Sequence, residues 1–146
     1  MTTPSPPVWF FGCLVAMQGL HVIAPGAHWL APPWTVLGVV PVGTGVALHG
    51  WATRTFRRAG TTADPESRPT ALVCLGPYGW THNPMYLAGL PILCGVVLLL
   101  GSMAPASILF LYCLAAQRWV EQEEGALRER FGGEWDSYQG TVRRWI

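Results

Sequence analysis

Residues 1–50 and 69–117 contain no Asp, Glu, Lys or Arg, and every formal charge of the chain falls between or after these two apolar blocks. Each block is long enough for two spans of about 20 residues, the length that crosses a hydrocarbon core. Four transmembrane helices are predicted, at residues 8–24, 33–51, 84–101 and 103–121. Gly12, Gly19, Gly38, Gly43, Gly45, Gly89 and Gly95 supply small surfaces for close helix packing, and Pro41 and Pro91 are expected to kink their helices. After the fourth span the pattern Arg118, Glu121, Glu123, Glu124, Leu127, Arg128, Phe131 continues as a helix that leaves the membrane, with Glu124 and Arg128 spaced as an i, i+4 pair. Gly132-Gly133 stops it, and Trp135, Tyr138, Val142 and Trp145 are spaced to lay an apolar edge back on the bilayer or the bundle. The expected fold is all-α: one integral membrane domain over residues 1–146, a bundle of about four transmembrane helices with a cytoplasmic loop and C-terminal amphipathic helices.

Composition supports a membrane setting. The chain is 51% hydrophobic and 12% charged, whereas soluble domains carry about one-quarter charged residues. All nine basic residues are Arg, gathered as Arg54, Arg57, Arg58 and Arg68, then Arg118, Arg128, Arg130, Arg143 and Arg144. The turns at 25–33 and 101–105 have no charge, so the positive-inside rule places both termini and the loop at 53–69 in the cytoplasm, in a membrane of bacterial type. Trp9, Trp51 and Trp119 would then form the inner interfacial belt, and Trp29 and Trp34 the outer one. Met1 to Pro7 contains no basic residue, so the first helix does not follow the pattern of a cleaved signal peptide and is expected to stay as a span. A net charge of +1 excludes a broad nucleic-acid footprint, and the Arg clusters read as orientation signals and lipid-headgroup contacts. Cys13, Cys74, Cys94 and Cys113 have no metal or redox spacing and read as small buried apolar residues; no metal site is expected. His21 and His49 are expected as neutral side chains bonded across helices.

The chemistry concentrates where an apolar helix begins. The segment Leu75-Gly76-Pro77-Tyr78-Gly79-Trp80-Thr81-His82-Asn83-Pro84-Met85-Tyr86 puts turn formers, aromatics and hydrogen-bonding groups directly before the third predicted span. Asn83 reads as an N-cap and Pro84 as the first helical residue, where the missing N–H costs nothing. A helix start also carries partial positive charge and can hold an anion. An ordinary loop-to-helix junction has the same pattern, so these residues alone leave a structural role and a binding role equally open.

Gly-Pro-Tyr, then Asn83-Pro84-Met85-Tyr86-Leu87, an apolar hairpin, Glu123-Glu124, Leu127, Phe131-Gly132, Tyr138 and Arg143-Arg144-Trp145 follow one another in an order and spacing that resembles the isoprenylcysteine carboxyl methyltransferase family. Phospholipid N-methyltransferases are similar in the same region. The resemblance covers about residues 53–146, with hydropathy alone matching before that. It implies an S-adenosylmethionine-dependent methyltransferase whose cofactor-binding part is about residues 71–146. The implied pocket draws on Leu75, Tyr78, His82, Asn83, Pro84, Tyr86, Glu123 and Glu124. His82 stands where the family motif has Arg, Gly79 where a basic residue is usual, and Trp135 where Tyr is usual.

S-adenosylmethionine presents a carboxylate, an ammonium, a ribose diol, an adenine and a sulfonium. The helix start at Asn83-Pro84, with His82, suits the carboxylate; one of Glu123 and Glu124 suits the ammonium or ribose; Tyr78, Trp80 and Tyr86 suit the adenine or sulfonium. Methyl transfer needs chiefly an in-line nucleophile, so positioning supplies most of the acceleration, and no dedicated base is required for a carboxylate, thiolate or free amine. The expected partner is a hydrophobic or lipid-like acceptor entering laterally from the membrane lipids. Two other readings stand beside this one: an NADPH-dependent enzyme like the sterol reductases, which look related in their C-terminal half, and a noncatalytic small membrane protein with a degenerate pocket.

Overall fold

The fold was described from a computed structural model, covering residues 5–60 and 71–145. The charges Asp64, Glu66 and Arg68 of the predicted cytoplasmic loop lie outside the described residues. Five helices follow in order: α1 (Pro6–Ile23), α2 (Val39–Arg58), α3 (Pro84–Leu100), α4 (Ala106–Phe131) and α5 (Gly133–Thr141). Short 3-10 turns at Trp34–Gly38 and Gly76–Gly79 lead into α2 and towards α3, and the described residues include no strand beyond two isolated bridges.

Pro6–Ile23 and the run Trp34–Arg58 are long and apolar enough to cross a membrane, whereas α3 is apolar but shorter. The predicted four spans all fall on helices, but the ends shift. The second runs on to Arg58, and the fourth starts at Ala106 and continues unbroken to Phe131, so its second half carries charge. Pro41 falls in the first turn of α2, after the 3-10 turn, where its missing N–H removes no α-helical bond. Pro91 lies inside α3.

α2 lies along α3, while α1 packs on both α3 and α4. The α2–α3 approach depends on glycine. A Cβ on Gly95 would stand 2.5 Å from the Gly38 carbonyl oxygen and 2.6 Å from Val42 Cγ2, and one on Gly45 would stand 2.6 Å from the Ala88 carbonyl oxygen. Gly89 leaves room for the Tyr112 hydroxyl, which donates to the Tyr86 carbonyl at 3.0 Å. Gly12, Gly19 and Gly43 meet nothing within 4 Å, so three of the seven predicted packing glycines do not serve that purpose among the described residues. Gly95→Ala is therefore expected to cost about 1–3 kcal/mol by overpacking. Gly43→Ala should leave stability unchanged or slightly raised. Thermal unfolding of the two variants in detergent separates them, and equal melting temperatures would contradict this packing.

Cys13, Met17, Leu93, Val97, Tyr112 and Ala116 form the core between α1, α3 and α4. Of the cysteines, Cys13 is buried, but Cys74, Cys94 and Cys113 are exposed, contrary to the sequence expectation. Cys94 and Cys113 sit on outward faces of apolar helices, where hydropathy alone does not distinguish inward from outward.

The antiparallel helices sort polar groups to two ends. At one end Trp9 meets Trp119 edge-on at 5.8 Å and Trp51 meets Trp80 at 5.1 Å, close to the described Arg residues. At the other, the two charge-free turns pin each other: Met103 N–H donates to the Ala27 carbonyl at 3.0 Å and Trp29 N–H to the Gly101 carbonyl at 3.1 Å. His21 Nδ1 lies 2.7 Å from Ser102 Oγ, the cross-element bond expected of it. Gly101 closes α3 at φ +64°, a left-handed conformation that glycine adopts without strain.

Candidate functional site

Residues 75–86 fold as a turn laid across the charged end. Gly76 has φ +61° and sits against Thr55 and Trp51 of α2, a place where any Cβ would be both strained and crowded. Leu75 and Trp80 point outward, 77% and 67% exposed. Tyr78 turns inward instead, its ring edge-on to Phe56 at 4.9 Å, and its carbonyl accepts from the Tyr138 hydroxyl at 2.6 Å.

The next three residues are held by the C-terminal tail. Thr81 and Arg143 form a parallel bridge, His82 N–H donates to the Arg143 carbonyl at 3.0 Å, and the Thr81 hydroxyl donates to the Arg144 carbonyl at 2.8 Å. Asn83 does precede Pro84, but its side chain makes no cap bond to α3. Its own N–H is taken by Thr81 Oγ1 at 3.2 Å, and its Nδ2 donates at 3.4 Å to Glu124 Oε1 and to the Arg144 carbonyl. The side chain is turned towards Glu124 and the tail instead, and the expected cap bond is not made. Pro84 opens α3 fully buried.

Glu124 is the centre of this cluster. It is 6% exposed and accepts from four donors: His82 Nδ1 at 3.2 Å, Asn83 Nδ2 at 3.4 Å, Arg144 Nε at 3.2 Å and Arg144 Nη2 at 2.6 Å. The two Arg144 bonds form a fork on both carboxylate oxygens, the geometry in which guanidinium binds most firmly. The i, i+4 partner predicted for Glu124 goes elsewhere: Arg128 donates to Asp136 at 3.1 Å and to Gln139 at 3.0 Å, tying α4 to α5. On α4, Glu124 faces inward and Arg128 outward.

His82 is enclosed between Tyr138, 4.9 Å away, and Trp135, 5.2 Å away. Since a carboxylate only accepts, His82 Nδ1 carries the proton towards Glu124. Its Nε2 is buried with no partner among the described residues. An open recess of about 510 Å³ lies beside it, bordered by His82 and residues 139–144.

Glu123, one residue earlier, has a different environment. Its side chain keeps access to solvent although neighbouring protein atoms crowd it. Removal from water raises its carboxyl pKa above the usual range; a hydrogen bond with Tyr86 offsets part of that, and the charge of Glu124 adds to it. Burial likewise raises the Tyr78 phenol, and Glu123 adds to that rise, so Tyr78 and Tyr86 both stand within electrostatic reach of the same carboxylate. The arrangement thus divides the eight sequence-predicted residues. His82, Asn83 and Glu124 meet in one buried cluster, Tyr78, Tyr86 and Glu123 meet beside it, Pro84 joins the two through α3, and Leu75 stands apart at the surface. Arg144, Thr81, Trp135 and Tyr138 complete the site; the adjacent acids Glu123-Glu124 and the tail pair Arg143-Arg144 are the sequence signals that point towards Arg144.

With this geometry in view, the comparison with known families is decisive: the phospholipid methyltransferase model matches residues 33–134, well over half of the chain. The chain belongs to the phospholipid methyltransferase family. No protein of curated function matches it. The matched segment begins with the 3-10 turn before α2, earlier than the 53 at which motifs alone become visible, and ends in the first turn of α5. It contains Tyr78, His82, Asn83, Tyr86, Glu123 and Glu124, whereas Arg144 lies beyond it. Membership in this phospholipid methyltransferase family carries methyl transfer as the general activity and a membrane as its setting.

Proposed function

We propose that the protein is an S-adenosylmethionine-dependent methyltransferase embedded in the membrane by α1 to α4, with its site on the cytoplasmic side. Arg54, Arg57, Arg58, Arg118, Arg128, Arg130, Arg143 and Arg144 all lie on the segments at the site's end of the bundle, which supports that orientation by the positive-inside rule. The observation that carries the reading is the contrast between the two acids. Glu124 is saturated by protein donors, while Glu123 is accessible, hydrogen-bonded with Tyr86 and within electrostatic reach of Tyr78.

The residues fit the methyl donor in a particular division of labour. Glu123 would take the ammonium through a charge-assisted bond. The rings of Tyr78 and Tyr86 offer faces and edges to the sulfonium and adenine. The first N–H groups of α3, which have no partner within the helix, suit the carboxylate. His82 is committed through Nδ1 to Glu124, and its buried Nε2, with no partner among the described residues, is the atom left for a polar group of the donor. When bound, the donor supplies the activated methyl group, and the chain's own residues align and desolvate it.

The acceptor is a hydrophobic or lipid-like molecule, in keeping with the apolar exposed faces of α1 and α2, where Val15, Val22, Val40 and Val46 are more than half exposed. Incubating the detergent-solubilised protein with S-adenosylmethionine labelled in its methyl group, together with phospholipid and prenylcysteine-type acceptors, tests the reading. Label is expected in the lipid fraction. Label in no amphiphile, while the protein stays folded, would overturn it.

A further inference from the structure

Glu123 and Glu124 are adjacent on α4, so their side chains leave the helix about 100° apart and their charges repel at short range. One is accessible and faces Tyr78 and Tyr86; the other is buried under the tail. Holding a second negative charge beside the first requires a counter-ion, and the chain supplies one from a distant place. Arg144, on the far side of α5, reaches Glu124 with a fork of 3.2 Å and 2.6 Å because residues 143–144 are fastened along Thr81 and His82. Its guanidinium also stands 3.8 Å from Glu121.

We propose that Arg144 is a positioning residue for the methyl-donor site: by neutralising Glu124 it leaves Glu123 as the one acid charged towards the donor. The inference rests on the reading of Glu123 as the donor's acid. The groups around the pair are Tyr78 from the 3-10 turn, Tyr86 from α3, His82 and Asn83 from the joint, Arg144 from the tail, and Glu121 on α4 itself, which shares the Arg144 guanidinium. Of these, Arg144 is the permanent cation. Without it the charge of Glu124 acts on Glu123 undiminished and favours the protonated form, which cannot hold an ammonium. The tail residue thus acts on the carboxylate next to the one it binds.

The test is the pH dependence of S-adenosylhomocysteine affinity, measured by calorimetry in detergent on the full chain. Affinity is expected to fall on acidification as Glu123 takes up a proton. Arg144→Gln should move the midpoint of that fall up by about one pH unit, and Glu124→Gln should move it down by a similar amount. The double variant Glu124→Gln/Arg144→Gln, which removes both charges of the buried pair and leaves only the more exposed Glu121 without its Arg144 contact, should return it towards the wild-type value. If Arg144→Gln fails to fold, the downward shift in Glu124→Gln and the return in the double variant still decide the matter. A midpoint that is the same in every variant, with affinity lowered equally, would reduce Arg144 to a fastening of the tail and overturn the proposal. Failure of the underlying reading looks different: Glu123→Gln would then bind with wild-type affinity and pH profile.

Discussion

Glu124→Ala is expected to destabilise the protein by about 3 kcal/mol, the lower end of the range for breaking a buried ion pair, since Arg144 keeps 38% of its side chain in solvent. Removing the carboxylate leaves His82 Nδ1 with its acceptor gone in a buried place and Asn83 Nδ2 with the Arg144 carbonyl alone, which costs more than the ion pair itself contributes. The tail should loosen with it, because Arg144 loses its fork while the bonds from Thr81 and His82 remain. Thermal unfolding in detergent gives the stability change, and proteolysis near residues 141–145 reports the tail. A loss below about 1 kcal/mol would mean that Glu124 is not the centre of the cluster.

Glu123→Gln should do the opposite: little harm to the fold and a large loss of donor binding. The sign follows from its raised pKa. A carboxyl that binds its proton more tightly in the folded state than in the unfolded state contributes stability when protonated, and that contribution is lost as pH rises through the folded pKa. At neutral pH the charge of Glu123 is therefore a cost to folding, and its removal should leave the melting temperature unchanged or raised. Donor affinity should fall ten- to a hundredfold, the worth of one charge-assisted bond of about 1.5–3 kcal/mol. In the wild type, affinity should decline on acidification beginning above the ordinary carboxylate range, and that decline should vanish in Glu123→Gln. A variant that is both less stable and normal in affinity would assign Glu123 a structural role.

Much of this was legible in the sequence, for identifiable reasons. Charge-free blocks mark apolar helices because a charge is costly there, and Gly132 ended α4 where the pattern stops. Asn83-Pro84 located the start of α3, since φ of proline suits the first helical residue. The tail's apolar spacing correctly returned Trp135 and Tyr138 to the bundle, where both are buried. What did not show was long-range pairing. Spacing proposed Arg128 for Glu124 because local partners are all that a helical pattern contains; the actual partner is 20 residues away and depends on a turn at Gly132 and a strand-like contact at Thr81. For the same reason Asn83 looked like a cap, and the two adjacent acids looked interchangeable. Glycine spacing likewise shows where close approach is allowed but not which face meets a neighbour, hence Gly95 packs and Gly43 does not.

The central claim is that Glu123, with Tyr78 and Tyr86, holds a methyl donor at the charged end of the bundle. Isothermal calorimetry of the detergent-solubilised chain with S-adenosylhomocysteine tests it most directly, run on wild type and Glu123→Gln side by side. Saturable one-to-one binding by the wild type, weakened at least tenfold in the variant, is the expected result. Absence of binding by folded wild-type protein, or equal binding by both, would contradict it.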